Sequence, residues 1–117
     1  MSVNFEGILD EVVTFDFKAG VESGKLVKMS ENDTVENCAA DDNFIGVCVN
    51  RASDNAGVKI KGFVTLTYAT GSGISAPSVG YNKLVCASDS SVKVGASGRE
   101  YLAVNVDTTE KTVTILL

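Results

Sequence analysis

The sequence predicts an all-β protein: a compact β-sandwich or barrel of about 8–10 short strands, built from two related β units, with little or no helix. Three observations carry this. Apolar and polar residues alternate over short runs, as in Val13-Thr-Phe-Asp-Phe17 and Val58-Lys-Ile-Lys-Gly-Phe-Val-Thr-Leu-Thr-Tyr68. Polar and glycine-bearing turns separate the runs. One stretch occurs twice: Lys25-Leu-Val-Lys-Met-Ser leading to Phe44-Ile-Gly-Val-Cys-Val49, and Lys83-Leu-Val-Cys-Ala-Ser leading to Tyr101-Leu-Ala-Val-Asn-Val106.

In chain order, residues 2–12 suit two conformations. Phe5, Ile8, Leu9 and Val12 fall at helical spacing, but Gly7 interrupts them, and Val3 and Phe5 also suit a strand. The segment is either an extended arm or a single helical turn. Val13, Phe15 and Phe17 then share one strand face. Leu26–Met29 and Thr34–Cys38 read as short strands around the polar turn Glu31-Asn-Asp33, which tolerates left-handed backbone. Phe44–Val49 is apolar on both faces, so burial on both sides is expected. Val58–Tyr68 is the longest alternating run. Gly62 in its middle marks a bend, where the strand passes from one sheet edge to another. Gly71–Pro77 reads as the joint between two lobes. The second copy follows over 81–117 and ends in Thr112-Val-Thr-Ile-Leu-Leu117, with Val113, Ile115 and Leu117 on one face.

The repeat is supported position by position. Lys25, Leu26, Val27 and Ser30 match Lys83, Leu84, Val85 and Ser88 in step. After a slip of one residue, Val35, Ala39, Val47 and Val49 match Val92, Ala96, Val104 and Val106. Agreement lies at apolar positions, where a shared core would select it. The expected organisation is a single β domain over 1–117, with an N-terminal arm (2–11), a first repeat (25–68) and a second repeat (81–117).

Composition narrows the function. The 117 residues suit one domain and allow a conventional core. A formal charge of −5 argues against a nucleic-acid face, which needs a basic patch to displace counterions. The three cysteines, Cys38, Cys48 and Cys86, form no Cys-x-x-Cys pair, and histidine is absent, so a zinc site is not expected. An odd number of cysteines behind an N-terminus without a basic, apolar leader fits buried thiols made in a reducing cytoplasm. No window is long and apolar enough to span a bilayer, so no membrane partner is expected.

The search for chemistry returns turns and core. Without histidine the usual nucleophilic triad cannot form. The acidic residues gather in turns, as in Asp41-Asp42, Glu31/Asp33 and Asp107/Glu110, where solvated carboxylates are the expectation. Asp41-Asp-Asn43 lacks the spacing of a calcium loop. Gly71-Ser-Gly73 lacks the lysine and helix of a phosphate loop. Tyr68, Tyr81 and Tyr101 could stack on a sugar, although core packing is the plainer reading. Neither a catalytic residue, a cofactor nor a metal ligand is expected, and the chain is read as non-enzymatic.

A resemblance adds to this. Val13 to Phe15, Ala19-Gly20, Gly24 to Val27, Ile45-Gly46-Val47, Gly62-Phe63-Val64, Lys83 to Val85 and Val113 to Leu117 stand in the order found in capsid cement proteins. The chain resembles these small head decoration proteins of tailed phages and prophages over about nine-tenths of its length. The shared positions are core strands and turns. The N-terminal segment departs from the pattern in being longer and acidic. The resemblance implies a homotrimer on the outer surface of the mature capsid, in the virion, that clamps the major capsid protein. Val3, Phe5, Ile8 and Leu9, apolar and without repeat counterparts, are the candidate capsid contacts. The alternative is a carbohydrate- or receptor-binding β module of a phage tail or cell surface.

Overall fold

Strand alternation sends every second side chain inward, and here it fills two separate interiors. The computed structural model describes residues 10–117 as ten strands, without helix among the described residues. They are β1 (Glu11–Phe17), β2 (Leu26–Glu31), β3 (Thr34–Asn37), β4 (Gly46–Arg51), β5 (Ala56–Lys61), β6 (Phe63–Tyr68), β7 (Gly80–Cys86), β8 (Ser91–Val94), β9 (Arg99–Asp107) and β10 (Thr112–Leu116).

The strands close into two five-stranded barrels, ordered β1-β3-β2-β4-β5 and β6-β8-β7-β9-β10. The second order is the first advanced by five, so the two units share one topology. In each, one pair is parallel (β1 with β3, β6 with β8) and the others are antiparallel. Closure matters physically, because an open sheet edge would leave backbone donors and acceptors free to pair with another chain.

Strand register defines the internal equivalence. Val35 faces Phe17 and Met29, while Val92 faces Tyr68 and Cys86. Val58 faces Val13 and Cys48, while Ile115 faces Val64 and Ala103. Phe17, Val35, Cys48 and Val58 are therefore the counterparts of Tyr68, Val92, Ala103 and Ile115. Stepping back two residues from Met29 and Cys86 makes Val27 the counterpart of Leu84. The match of Leu26 with Leu84, read from the letters, is out by one. Both members of each Leu-Val pair are buried, so composition could not tell the faces apart.

The boundary between units also moves. The run from Val58 to Tyr68 is two strands, and they belong to different barrels. Gly62 divides them at φ 111°, and any Cβ there would strike Asp10. The two repeats are thus β1–β5 and β6–β10, not 25–68 and 81–117. The joint between them is Gly62, whereas Gly71–Pro77 connects β6 to β7 inside the second barrel. The terminal Leu117 N–H donates to the Gly62 carbonyl at 2.9 Å, tying the chain end to this joint. Gly62→Ala meets both backbone strain and a clash, and is expected to cost about 2 kcal/mol, read by urea denaturation.

One apolar cluster joins the barrels. Leu26, Cys38, Phe44 and Val47 from the first pack with Leu66, Tyr68, Leu84, Tyr101 and Ile115 from the second. A smaller cluster of Val21, Val27, Val35, Cys48, Ala56 and Val58 fills the first barrel. The connection between β3 and β4 reaches across as a latch, while its counterpart between β8 and β9 is a short turn. Asp41 N–H donates to the Cys86 carbonyl at 2.8 Å, and Cys86 N–H donates to the Asp42 carbonyl at 2.9 Å. Phe44 stacks on Tyr101 with ring centroids 5.0 Å apart and planes 7° from parallel. The Tyr101 hydroxyl donates to the Phe44 carbonyl at 3.3 Å.

The acidic run expected to be solvated builds this latch. Asp41 pairs with Lys93 at 2.8 Å. Asn43 donates to the Ser97 carbonyl at 3.2 Å and accepts from Arg99 N–H at 3.1 Å. Asp42 accepts from Lys28 Nζ at 2.7 Å and from Ala39 N–H at 2.9 Å. The Lys28 hydrogen bond, then that of Ala39, holds the Asp42 carboxyl below its usual range. A carboxyl depressed in the folded state stabilises above its unfolded pKa, and that contribution is lost as pH falls through the folded value. Stability of the native chain is therefore expected to fall below about pH 4. Asp42→Asn is expected to flatten that fall in an acid titration of the unfolding midpoint.

A candidate interaction surface on the second barrel

Directly opposed residues on neighbouring strands share a face, so register can build a surface from distant parts of the chain. In the second barrel Phe63 faces Leu116, Leu116 faces Leu102, and Leu102 faces Tyr81. The four side chains form one row across β6, β10, β9 and β7. The row points outward, because the alternate positions Ala103 and Ile115 are fully buried inside the barrel. Phe63, Leu116 and Leu102 are half-buried, while Tyr81 is 70% exposed, as is its neighbour Val79.

Polar groups border the row on both sides. The next rung is Thr65, Thr114 and Asn105, with the two threonine hydroxyls hydrogen-bonded at 2.8 Å. On the other side Lys83 faces Glu100. An apolar strip with a polar rim is the usual form of a protein-binding surface, whereas scattered single apolar residues mean little. Val12, Met29 and Val49, exposed on the first barrel, are of the scattered kind.

The Phe63 end of the row is where the N-terminal segment joins. Lys59 Nζ lies 3.0 Å from the Asp10 carboxylate and donates to the Phe63 carbonyl at 2.7 Å. Its stem is largely buried, so this ammonium fixes Asp10 beside Gly62. The candidate contacts Val3, Phe5, Ile8 and Leu9 lie outside the described residues. Register supplies the row. Its members come from four strands, so no local pattern in the sequence announces it.

The other candidate chemistry resolves into structure. Tyr68 and Tyr101 are 3% and 2% exposed, so the three tyrosines form no stacking platform and Tyr81 stands alone on the surface. Burial raises the Tyr101 hydroxyl above its usual pKa, against the opposing effect of Arg99, whose guanidinium lies 5.1 Å from the ring centroid. Burial likewise raises the Cys48 thiol. Among the described residues, histidine, cysteine, aspartate and glutamate form no group of three or more placed to hold a metal ion. Likewise, no helix there is long and apolar enough to cross a membrane. No family model and no curated protein matches the chain.

Proposed function

We propose that the chain is a non-enzymatic capsid decoration protein of a tailed phage or prophage. It binds the outer surface of the mature head as a trimer and clamps neighbouring copies of the major capsid protein. The observation that carries this reading is the apolar row Phe63–Leu116–Leu102–Tyr81, which reaches the point where the apolar N-terminal segment joins the barrel. The resemblance to cement proteins supplies the partner. Burial of Tyr68 and Tyr101 removes the feature that favoured a sugar-binding module.

The physical gain is multivalency. Three modest contacts on one rigid trimer raise effective concentration, so avidity exceeds a single contact by ~10²-fold or more. Twin closed barrels suit this, since they leave few free edges for unwanted pairing.

The test is co-sedimentation with mature heads, alongside light scattering of the free protein. A trimer that binds heads is expected. Deleting residues 2–9, which spares Asp10 and β1, is expected to abolish binding with the unfolding midpoint unchanged. Tyr81→Ala is expected to weaken binding about tenfold, the loss of one exposed aromatic anchor. A monomer that ignores heads and binds a glycan array would sink the proposal.

A further inference from the structure

We infer that Cys38 and Cys86 form a modification site: a disulfide-forming pair that locks the two barrels together when the protein meets a small-molecule disulfide. Cys38 begins the latch, directly after β3 of the first barrel, and Cys86 ends β7 of the second. Both lie in the cluster that joins the barrels, 5% and 0% exposed. The backbone pins the site on each side. Cys38 N–H donates to the Leu26 carbonyl at 3.0 Å, and Cys86 is bonded through its own N–H and C=O to Asp42 and Asp41. Both side chains pack in this one cluster, and the Cys38 side chain, with burial second, raises the Cys86 thiol above its usual pKa.

Cys48 is placed differently. It sits in the separate cluster inside the first barrel, and its thiol donates to the Asn50 carbonyl at 3.3 Å. The three thiols therefore divide into a pair and a single, which accounts for the odd count without an unpaired partner outside the chain.

The chemistry balances with a disulfide RSSR as oxidant. Cys38 is the more exposed of the two. As thiolate, having lost its proton to solvent, it attacks one sulfur of RSSR, the reagent bond breaks and one RS⁻ leaves. Cys86 gives its proton to solvent and attacks the Cys38 sulfur of the mixed disulfide, and the second RS⁻ leaves. Two protein thiols are oxidised, and one reagent disulfide is reduced to two thiols. The product ties the latch covalently to β7. A chain made reduced and then released into an oxidising medium would gain this link.

The experiment treats the native, full-length Cys48→Ser chain with 2,2′-dithiodipyridine at a temperature just below melting. Expected are two pyridine-2-thiones released per chain, a mass lower by two hydrogens, and a cross-linked pair of peptides holding Cys38 and Cys86. The oxidised protein is expected to melt about 5–10 °C higher, reversibly on adding dithiothreitol. Wild type is expected to give the same cross-link, which guards against an effect of the serine. Stable pyridyl adducts without the loss of two hydrogens, thiols that stay unmodified, or wild-type cross-links through Cys48 or between chains would each overturn the inference. The outcome is independent of capsid binding.

Discussion

Tyr101→Ala is expected to remove about 4–5 kcal/mol of stability, the upper range for truncating a buried aromatic. Tyr101 has the largest of the fully buried side chains. It fills the cluster joining the barrels and supports Phe44 by stacking. The neighbouring latch contacts of Asn43, through Ser97 and Arg99, lose their backing as well. Against a typical total of about 5–15 kcal/mol, the variant is expected to be largely unfolded or close to it. Tyr101→Phe keeps the ring and loses the hydroxyl's bond to the Phe44 carbonyl, so about 1 kcal/mol is expected. Urea denaturation reads both. Phe44→Ala combined with Tyr101→Ala is expected to cost less than the sum, because the two rings share one contact.

Gly98→Ala is the second large effect, expected to exceed about 3 kcal/mol. A Cβ at Gly98 would meet the Leu84 backbone, at 2.6 Å from its carbonyl carbon and 2.8 Å from its nitrogen. Backbone cannot swing aside as a side chain can. Gly46→Ala meets the same problem against the Lys59 carbonyl, with the carbon at 2.9 Å. Gly24→Ala is the contrast. Its φ of 92° is strained for alanine, yet nothing lies within 4 Å. It is expected to cost about 1 kcal/mol. If all three cost the same, close backbone approach between β7 and the turn before β9, and between β4 and β5, is not what the glycines serve.

Strand alternation made the all-β fold and the twofold repeat legible from the letters, although β5 and β6 read there as one strand. Gly62 was legible as a bend because glycine in a strand has few other uses. The barrel each half of 58–68 joins was not legible, since pairing partners are chosen by tertiary closure and not by local pattern. The latch was missed for a related reason. Asp41 and Asp42 look like turn carboxylates because Lys93 and Lys28 lie far away in the chain. Core packing was the plainer reading of Tyr68 and Tyr101, and both are buried, with the Tyr101 hydroxyl bonded to a buried carbonyl. The row from Phe63 to Tyr81 takes one residue from each of four strands, so it becomes visible only once register is known. The same holds for Cys38 and Cys86, each unremarkable in its own stretch.

The proposed capsid decoration is tested most directly by an electron-microscopy map of mature heads of the tailed phage proposed as its source, with the purified protein added. Trimers are expected to stand on the outer surface at local threefold positions. In them, the N-terminal segment and the face bearing Tyr81 and Leu102 should lie against the major capsid protein. Heads left bare at saturating protein, or trimers that turn that face to solvent, would contradict it.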